Sequence, residues 1–447
     1  DLVYTISCTQ YLKQGYSITK DGNNYTVNGT TSGTCNGVSD EQIFPTMGKI
    51  LVTNPIEDDK VQVYTLVVTY KDTGTDQSID MNKQFSAKAN LVNPSTFNPY
   101  VGSMLNSVII GSAKNASEES DTTRTTFGSE VTEFTSISGS NERVLNNAPD
   151  DYGTSYYFRG NVIDNYVSFA DKTWRIVRIN GDGSVRLVLD DAAKDSSGNE
   201  ITTSFNPSNG DNAYVGYMYG TAGSTTYDAT HENINDSTIK VAVDKWYEDN
   251  LKTNYANYLS DTLFCNDKTL ASSSIGSSNT ALGYGKNQTY YASAERLLLY
   301  STGTTSITTA KPTFKCAESA TNDYSRFTVD VATLSNGNKT NGNLKYPIGL
   351  LSADEVSFAG AYKAGQPNKS YYLYNSSITS NWWLLSPGLY NGSNALEWYV
   401  YGSVGIIGSL SVNSTYVLRP SINLKASVLI NGGDGTKENP YTVKLAS

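Results

Sequence analysis

A predicted β-hairpin constrains the fold of this chain more than any other feature of the sequence. Residues 174–179 and 185–189 are rich in aromatic and β-branched side chains, which favour strands. Between them, Asn180-Gly181-Asp182-Gly183 supplies residues that accept the positive φ of a tight turn. We therefore expect a core hairpin, with flanking strands supplied by residues 156–158 and 166–169.

The composition favours a mostly β protein that faces water over a helical cytosolic enzyme. Of the 447 residues, 33 are tyrosine and only 38% are hydrophobic, and Ser, Thr, Asn and Gly are frequent. The net charge is −10 without a cluster of Lys and Arg, so nucleic acid and anionic membrane surfaces are poor partners. No apolar run is long enough to span a bilayer, so we expect no membrane insertion.

The four cysteines predict two disulfide bonds. Cys8, Cys35, Cys265 and Cys316 are widely spaced, and none belongs to a C-x-x-C pair of the kind found in zinc sites. We interpret them as the pairs Cys8–Cys35 and Cys265–Cys316, formed in an extracellular, oxidising compartment. Four buried free thiols in a reducing compartment are the alternative.

The N-terminal part is predicted to be a small β domain followed by a linker. Residues 1–92 have the strand spacing of an Ig-like β-sandwich. Their strongest strand, 60–70, is apolar on both faces, which predicts a central position, and residues 84–91 can pair back. Residues 93–150 lose this periodicity and are rich in Ser, Thr and Gly, so we expect a linker or irregular segment with one short helix near 104–110.

Residues 151–447 are predicted to form one large α+β domain with two or three helices. Helical spacing of apolar residues predicts helices over 237–251 and 292–300. A third begins at the capping box Ser352-Ala353-Asp354-Glu355. The predicted strands that complete the domain are 382–385, 396–401, 406–412, 417–424 and one after the turn at 432–435.

Seven short motifs follow one another along this domain. They are YYFRGNV (156–162), WRIVRINGDGSVRLV (174–188), TLFCNDK (262–268), KYPIGLLSADEVSFAG (345–360), WWLLSP (382–387), VLRPSINLK (417–425) and GGDGTKENPYTV (432–443). As an ordered set they resemble a family of uncharacterised surface proteins from gut-type anaerobic Firmicutes. Residues 1–92 are similar to the TasA/camelysin-type β-sandwiches of the same bacteria.

The resemblance implies a C-type lectin-like fold for residues 151–447. That fold is shared with formylglycine-generating enzymes and with the variable proteins of diversity-generating retroelements. Formylglycine-generating enzymes use a closely spaced cysteine pair, whereas Cys265 and Cys316 are far apart and match a structural bridge. The resemblance therefore supplies no catalytic residue.

The polar residues that suit catalysis by type are predicted to have structural roles. His231 is the only histidine, which excludes a His-based triad and an HExxH site, and we expect it on the surface. Glu355 and Asp354 fit the cap and the dipole of the helix that they begin. Arg419 lies among apolar strand residues, so we expect a buried arginine held by an acidic residue or by carbonyl groups.

The sequence predicts no metal and no cofactor. Gln366-Pro367-Asn368 matches a triplet through which C-type lectins bind sugar and calcium, but the companion Trp-Asn-Asp triplet is absent. We therefore expect a solvent-exposed turn there. No stretch matches an EF-hand loop.

Residues 388–416 form the candidate binding surface, because they mix Tyr and Trp with Asn, Ser and Gly. Ordinary strands and turns are the alternative. Alternation along the strand directs Leu396, Trp398 and Val400 to the core and predicts that the intervening side chains face outward. The candidate ligand-binding residues are Tyr390, Asn391, Asn394, Glu397, Tyr399, Tyr401, Asn413 and Tyr416.

These features favour a non-enzymatic extracellular surface or fibre protein. Its C-type lectin-like domain would serve adhesion or ligand recognition, with a glycan or protein ligand on a surface as partner and with self-association into fibres as a further candidate. The alternatives are a glycan-active enzyme and a purely structural, self-assembling filament subunit.

Overall fold

A computed structural model describes residues 2–22, 24–43, 51–55, 57–71, 100–118, 131, 144–272, 282–301, 311–316, 323–361 and 367–446. The chain divides into two compact units, residues 1–101 and 102–447. The described part is mostly β with a few helices, which confirms the predicted fold class. No helix among these residues is long and apolar enough to cross a membrane.

The first unit contains a three-stranded antiparallel sheet and a separate hairpin. Its strands are β1 (Leu2–Leu12), β2 (Ser17–Asp21), β3 (Asn24–Asn28), β4 (Val38–Ile43) and β5 (Lys60–Tyr70). The sheet has the order β4-β1-β5, and β2 pairs with β3. The predicted Cys8–Cys35 disulfide is present and anchors β1 to the segment before β4.

The central position predicted for the strand at 60–70 stays a prediction, because residues 84–91, which were predicted to pair with it, lie outside the described residues. Among the described strands it is β1, with Val3, Tyr4 and Ile6 buried, that lies in the middle, while β5 pairs with β1 and leaves Val67 51% exposed. An apolar strand sequence indicates contact with neighbours but not which neighbours, so it does not fix strand order. The Ig-like sandwich stays a prediction, because the predicted strand 84–91 lies outside the described residues.

The second unit holds the remaining strands and all described helices. The strands are β6 (Val144–Pro149), β7 (Thr154–Arg159), β8 (Tyr166–Phe169), β9 (Lys172–Ile179), β10 (Val185–Leu189), β11 (Thr202–Ser204), β12 (Met218–Tyr219), β13 (Asn235–Asp236), β14 (Phe264–Cys265), β15 (Thr289–Tyr290), β16 (Arg326–Phe327), β17 (Ile348–Gly349), β18 (Trp382–Tyr390), β19 (Ala395–Val400), β20 (Ile407–Ser411), β21 (Thr415–Val417), β22 (Ser421–Leu424), β23 (Leu429–Gly432) and β24 (Tyr441–Lys444). The helices are α1 (Leu105–Glu118), α2 (Tyr227–His231), α3 (Thr238–Asn250), α4 (Ala292–Ser301) and α5 (Ala353–Ala359).

The larger sheet of this unit is built around the predicted hairpin. Its strand order is β17-β22-β10-β9-β8-β24-β23, with β7 paired to β9 and β6 to β7. Trp174 in β9 and Leu187 in β10 are fully buried. The turn closes where Gly183 N donates to Asn180 O at 2.8 Å, and Gly183 has a φ of +82° that favours glycine. The core hairpin and its flanking strands β7 and β8 are therefore confirmed.

The second sheet carries most of the candidate binding surface. Its order is β11-β21-β18-β19-β20, and β15 also pairs with β18. Helix α4 packs against β18, and a 3₁₀ turn at Asn212–Val215 packs against both β18 and β19. Every residue of β18 is buried, as is every residue of β19 except the half-buried Leu396. This sheet is therefore buried on both faces along its middle strands.

Three predicted helices are confirmed, together with the reasons for their starting points. Helix α3 begins after Ser237, whose hydroxyl accepts from Lys240 N, and α4 begins at Ala292. Helix α5 has the predicted capping box, because Ser352 accepts from Glu355 N and Glu355 accepts from Ser352 N. The short helix α2 was not predicted.

The predicted start of the large domain at residue 151 is wrong, because this unit begins at residue 102. Gly102 N and Leu105 N donate to Ile430 O and Val428 O at 2.8 and 3.0 Å. Leu145 in β6 is fully buried, and β6 pairs with β7 along its length. The sequence of residues 93–150 did not predict this packing, because the segment is rich in Ser and Thr and has few apolar residues. The Cys265–Cys316 disulfide predicted within the unit is present.

Two fragments test this boundary. We expect a fragment of residues 102–447 to unfold at a higher temperature than one of residues 151–447, because only the longer one keeps α1 and the β6–β7 pairing. Thermal melting by circular dichroism measures the difference. Equal melting temperatures would show that residues 102–150 add nothing to the stability of the unit.

Candidate functional site

Two arginines face each other across the central hairpin, and one glutamate binds both. Arg178 in β9 lies opposite Arg186 in β10. Glu355 Oε1 lies 3.1 Å from Arg178 Nε and 3.3 Å from Arg186 Nε. Burial raises the pKa of Glu355, but the two guanidinium groups outweigh it and the net pKa is lowered. Burial lowers the pKa of Arg186 to about 10, against the opposing effect of Glu355.

A second buried arginine lies between two carboxylates. Arg296 on α4 donates from Nη1 to Asp267 at 3.0 Å and from Nε to Asp354 at 2.7 Å. Burial lowers the pKa of Arg296, but these two carboxylates overcome that effect and raise it. Asp354 also accepts from Thr313 N at 3.1 Å. The carboxylate that we assigned to the dipole of α5 thus also binds α4.

These groups surround a cleft that we call the arginine pocket. It is lined by Arg178, Arg186, Leu263, Cys265, Asp267, Arg296, Thr313, Phe314, Lys315, Ser352, Asp354, Glu355 and Ser386. Each of its three acidic side chains forms an ion pair with an arginine. These ion pairs connect the central hairpin with α4 and α5 around the pocket.

The predicted binding residues are only partly exposed. Tyr401 is 37% exposed, Asn391 and Asn413 are exposed, and Asn394 and Tyr416 are half-buried. Tyr390, Glu397 and Tyr399 are buried, so the prediction that they face outward is wrong. The reason is that both faces of β19 are covered. On the Trp398 side, the indole N–H donates to Ser293 Oγ at 2.9 Å, and on the other side Tyr399 packs against aromatic rings.

The aromatic candidates form a continuous group that we call the tyrosine platform, made of Trp383, Tyr399, Tyr401, Tyr416 and Gly408. Ring centroids are 4.7 Å apart for Trp383 and Tyr416, 5.0 Å for Tyr399 and Tyr416, and 4.6 Å for Tyr399 and Tyr401. Burial and a hydrogen bond with Tyr401 raise the pKa of Tyr399, so its hydroxyl stays protonated. The platform therefore runs from a fully buried indole to the exposed ring of Tyr401.

Gly408 shapes the base of this platform. It lies opposite Tyr399 in the pairing of β19 with β20. A Cβ at position 408 would be 2.7 Å from Tyr401 Cε2 and 3.0 Å from Tyr399 Cζ. The rings can therefore lie close against the backbone of β20 only because residue 408 has no side chain.

The asparagine candidates belong to a separate group, the asparagine corner, made of Asn209, Asn391, Asn394, Ser411 and Asn413. Asn209 Nδ2 donates to Asn394 Oδ1 at 2.6 Å and to Ser411 Oγ at 2.8 Å. Ser411 in turn donates to Asn413 Oδ1 at 2.8 Å. Asn394 precedes β19 whereas Tyr401 follows it, which separates the two groups by about 20 Å of extended chain. A single compact ligand does not reach both.

The remaining sequence candidates have structural roles. Arg419 is buried as predicted, and its guanidinium donates to the carbonyls of Leu189, Leu373 and Asp190 at 2.7, 2.7 and 3.1 Å. Gln366 lies outside the described residues. Asn368 is buried rather than in a solvent turn, and its Nδ2 donates to Gly360 O at 2.6 Å. Within the described ranges, no three His, Cys, Asp or Glu side chains group as a metal site.

The prediction that His231 lies on the surface is wrong, because it is fully buried at the end of α2. Its Nε2 lies 2.8 Å from Gly283 O and 3.2 Å from Tyr291 Oη, whereas Nδ1 has no hydrogen-bond partner. Burial lowers the pKa of His231 to about 3, and the nearby Lys268 ammonium acts in the same direction. The histidine is therefore a neutral core residue.

Glu397 is a buried carboxyl that sequence reasoning placed on the surface. It is fully buried, and neither carboxyl oxygen has a hydrogen-bond partner. Burial raises its pKa well above the ordinary value, and the Lys268 charge only partly opposes this. We group Glu397, Lys268, His231 and Tyr291 as the buried polar cluster. The sequence carried no signal for it, because its members come from four distant segments.

Comparisons with known proteins identify one matching family model. It is described as a domain of unknown function (DUF6273) and matches residues 320–426, which include α5, β18 to β22 and the tyrosine platform. No curated protein and no solved structure matches the chain.

The buried carboxyl predicts a stability change that depends on pH. The folded state holds the Glu397 proton above the ordinary pKa of 4.5, so wild-type stability should fall as the pH rises above that value. Glu397→Gln removes this ionisation, so its advantage over wild type should grow toward alkaline pH and vanish near pH 4.5. Thermal melting across pH measures it, with the exposed Glu438→Gln as the matched control. A difference independent of pH would contradict a protonated Glu397.

Proposed function

We propose that this chain is an extracellular binding protein that recognises a glycan or protein ligand through the tyrosine platform. The observation that carries the proposal is the anchoring of the exposed Tyr401 ring on Tyr399 and, through Tyr416, on the fully buried Trp383. An anchored ring contributes contact area without losing much conformational freedom on binding, which is why aromatic residues dominate recognition surfaces.

The chemistry of the platform suits both ligand classes. Its ring faces can pack against the apolar face of a sugar or against aliphatic side chains. Tyr416 is hydrogen-bonded to Asn381, so a polar group also lies beside the rings. The buried members, Tyr399 and Trp383, support the platform rather than touch the ligand.

The two disulfides support an extracellular location. Disulfide bonds form and persist in oxidising compartments, and the chain places one in each unit. A surface-displayed protein that binds glycans or proteins would work under these conditions. We propose adhesion as the role of such a protein. It could also associate with copies of itself to form fibres.

Removing the exposed ring tests the proposal. Tyr401→Ala should weaken binding by about 2 kcal/mol, or about 30-fold, because a recognition tyrosine loses its contact area. Its melting temperature should stay close to that of wild type, since Tyr401 is 37% exposed. Binding is measured on immobilised oligosaccharides and on extracts of cell-surface proteins. Tyr25→Ala, which removes a 64% exposed tyrosine from the other unit, is the matched control.

A second variant perturbs the platform without removing a ring. Gly408→Ala should push the Tyr401 ring outward and reduce binding, with some loss of stability because the new Cβ also comes within 3.0 Å of the buried Tyr399 ring. If both variants bind as wild type does, the ligand site lies elsewhere. Release of reducing sugars from the oligosaccharides would instead favour the glycan-active enzyme, and ordered multimers in sedimentation would favour the filament subunit.

A further inference from the structure

Two arginines of the arginine pocket keep hydrogen-bond donors that no described residue accepts. Arg178 donates through Nε to Glu355 at 3.1 Å and through Nη1 to Asp150 at 3.0 Å, which leaves Nη2. Arg186 donates through Nη2 to Leu263 O, and its Nε forms only the ion pair with Glu355, which leaves Nη1. The two side chains are only 7% and 2% exposed, so bulk water does not freely solvate these donors.

Two buried serine hydroxyls of the same pocket have the same character. Ser352 Oγ accepts from Glu355 N at 3.1 Å, and Ser386 Oγ accepts from Ala353 N at 2.9 Å. A hydroxyl that accepts in this way still has its own proton to donate, and neither proton has an acceptor among the described residues. Because buried donors are costly to leave unpaired, the pocket calls for an acceptor from outside the chain.

Aromatic rings hold both guanidinium groups in place. Arg178 Cζ lies 4.6 Å from the centroid of the Phe314 ring, and Arg186 Cζ lies 4.2 Å from that of Phe264. Each Nε is also fixed beside Glu355 Oε1. The planar forks are therefore positioned before any ligand arrives, so a ligand does not have to order them.

The charge and the size of the cavity favour one small, singly charged group. The lining carries four cationic and three acidic side chains, namely Arg178, Arg186, Arg296, Lys315, Asp267, Asp354 and Glu355. Asp150 pairs with Arg178 from outside this lining, so a dianion such as phosphate would meet as many carboxylates as cations. The centre of a water-sized group can occupy about 20 Å³ of the cavity. That is room for a carboxylate but not for a sugar ring.

We propose that the arginine pocket binds the carboxylate of a monocarboxylate ligand. The planar carboxylate accepts from the free terminal nitrogens of Arg178 and Arg186, and the hydroxyls of Ser352 and Ser386 donate to the same two oxygens. Lys315 is exposed and lines the pocket, so its charge attracts the anion at the mouth. The ligand is either a small free acid or a uronic acid whose ring stays outside the cavity.

Small probes test the carboxylate directly. Sodium acetate should raise the melting temperature of the full chain at pH 7, because a ligand that binds only the folded state stabilises it. Acetamide, which is neutral and of similar shape, should not, at an ionic strength held constant with sodium chloride. Equal effects of acetate and acetamide would overturn the proposal. Methyl glucuronoside compared with acetate then separates the sources, since a uronic acid site prefers the sugar and a small-acid site prefers acetate.

A surface variant locates the binding. Lys315→Gln should weaken acetate binding about threefold, because it removes one exposed charge and leaves the buried pairs intact. Lys437→Gln, which changes another exposed lysine of this unit, is the matched control. Tyr401→Ala should bind acetate as wild type does, because the tyrosine platform shares no residue with this pocket, so a failure of either site is distinguishable from a failure of the other.

A crystal structure with acetate supplies the second measurement. It should show the carboxylate within hydrogen-bonding distance of Arg178 Nη2 and Arg186 Nη1. Acetate bound only elsewhere on the chain, or equal acetate affinities for Lys315→Gln and Lys437→Gln, would overturn the assignment to this pocket.

Discussion

The second unit depends on how it neutralises two arginines that its central hairpin places opposite each other. Like charges at directly opposed positions destabilise an antiparallel pair. Here Glu355 Oε1 accepts a hydrogen bond from Arg178 Nε and forms an ion pair with Arg186 Nε, while its other oxygen accepts from Ser352 N at the start of α5. The same glutamate therefore caps helix α5 and neutralises the two arginines of the central hairpin. Removal of one partner from a buried ion pair costs about 3–5 kcal/mol, so hairpin and helix depend on each other for stability.

Other buried arginines of the second unit are also paired with carboxylates or with backbone carbonyls. Asp150 binds Arg178 at 3.0 Å and also accepts from Gly181 N at 2.9 Å, which joins the β6–β7 turn to the hairpin turn. Arg296 connects α4 to α5 through Asp354, and Arg419 is satisfied by carbonyls alone. Glu397 differs from these buried charged groups, because its carboxyl oxygens have no hydrogen-bond partner. Burial of this carboxyl without a partner favours its neutral form, in which it carries no charge that needs a counter-ion.

Local features were predictable from the sequence, and long-range ones were not. The capping box of α5, the core hairpin and the two disulfides follow from neighbouring residues or from a small set of pairings. The burial of Glu397 and Tyr399 does not, because alternation along β19 separates two faces without revealing that both are covered. His231 was misplaced for the same reason, since its polar neighbours in sequence are not its neighbours in space. The composition around the tyrosine platform predicted Tyr399, Tyr401 and Tyr416 as part of a binding surface, but it gave no sign of the supporting Trp383.

The anchoring of the tyrosine platform on Trp383 has a spectroscopic consequence. An indole that is fully buried has an emission governed by its immediate surroundings, and here those surroundings include the ring of Tyr416 at 4.7 Å. Any ligand that shifts Tyr416 or Tyr401 changes the electric field and the energy transfer at that indole, although it never touches the tryptophan. If the tyrosine platform binds a ligand as proposed, the emission of Trp383 reports its occupancy, superposed on the emission of the other four tryptophans of the chain.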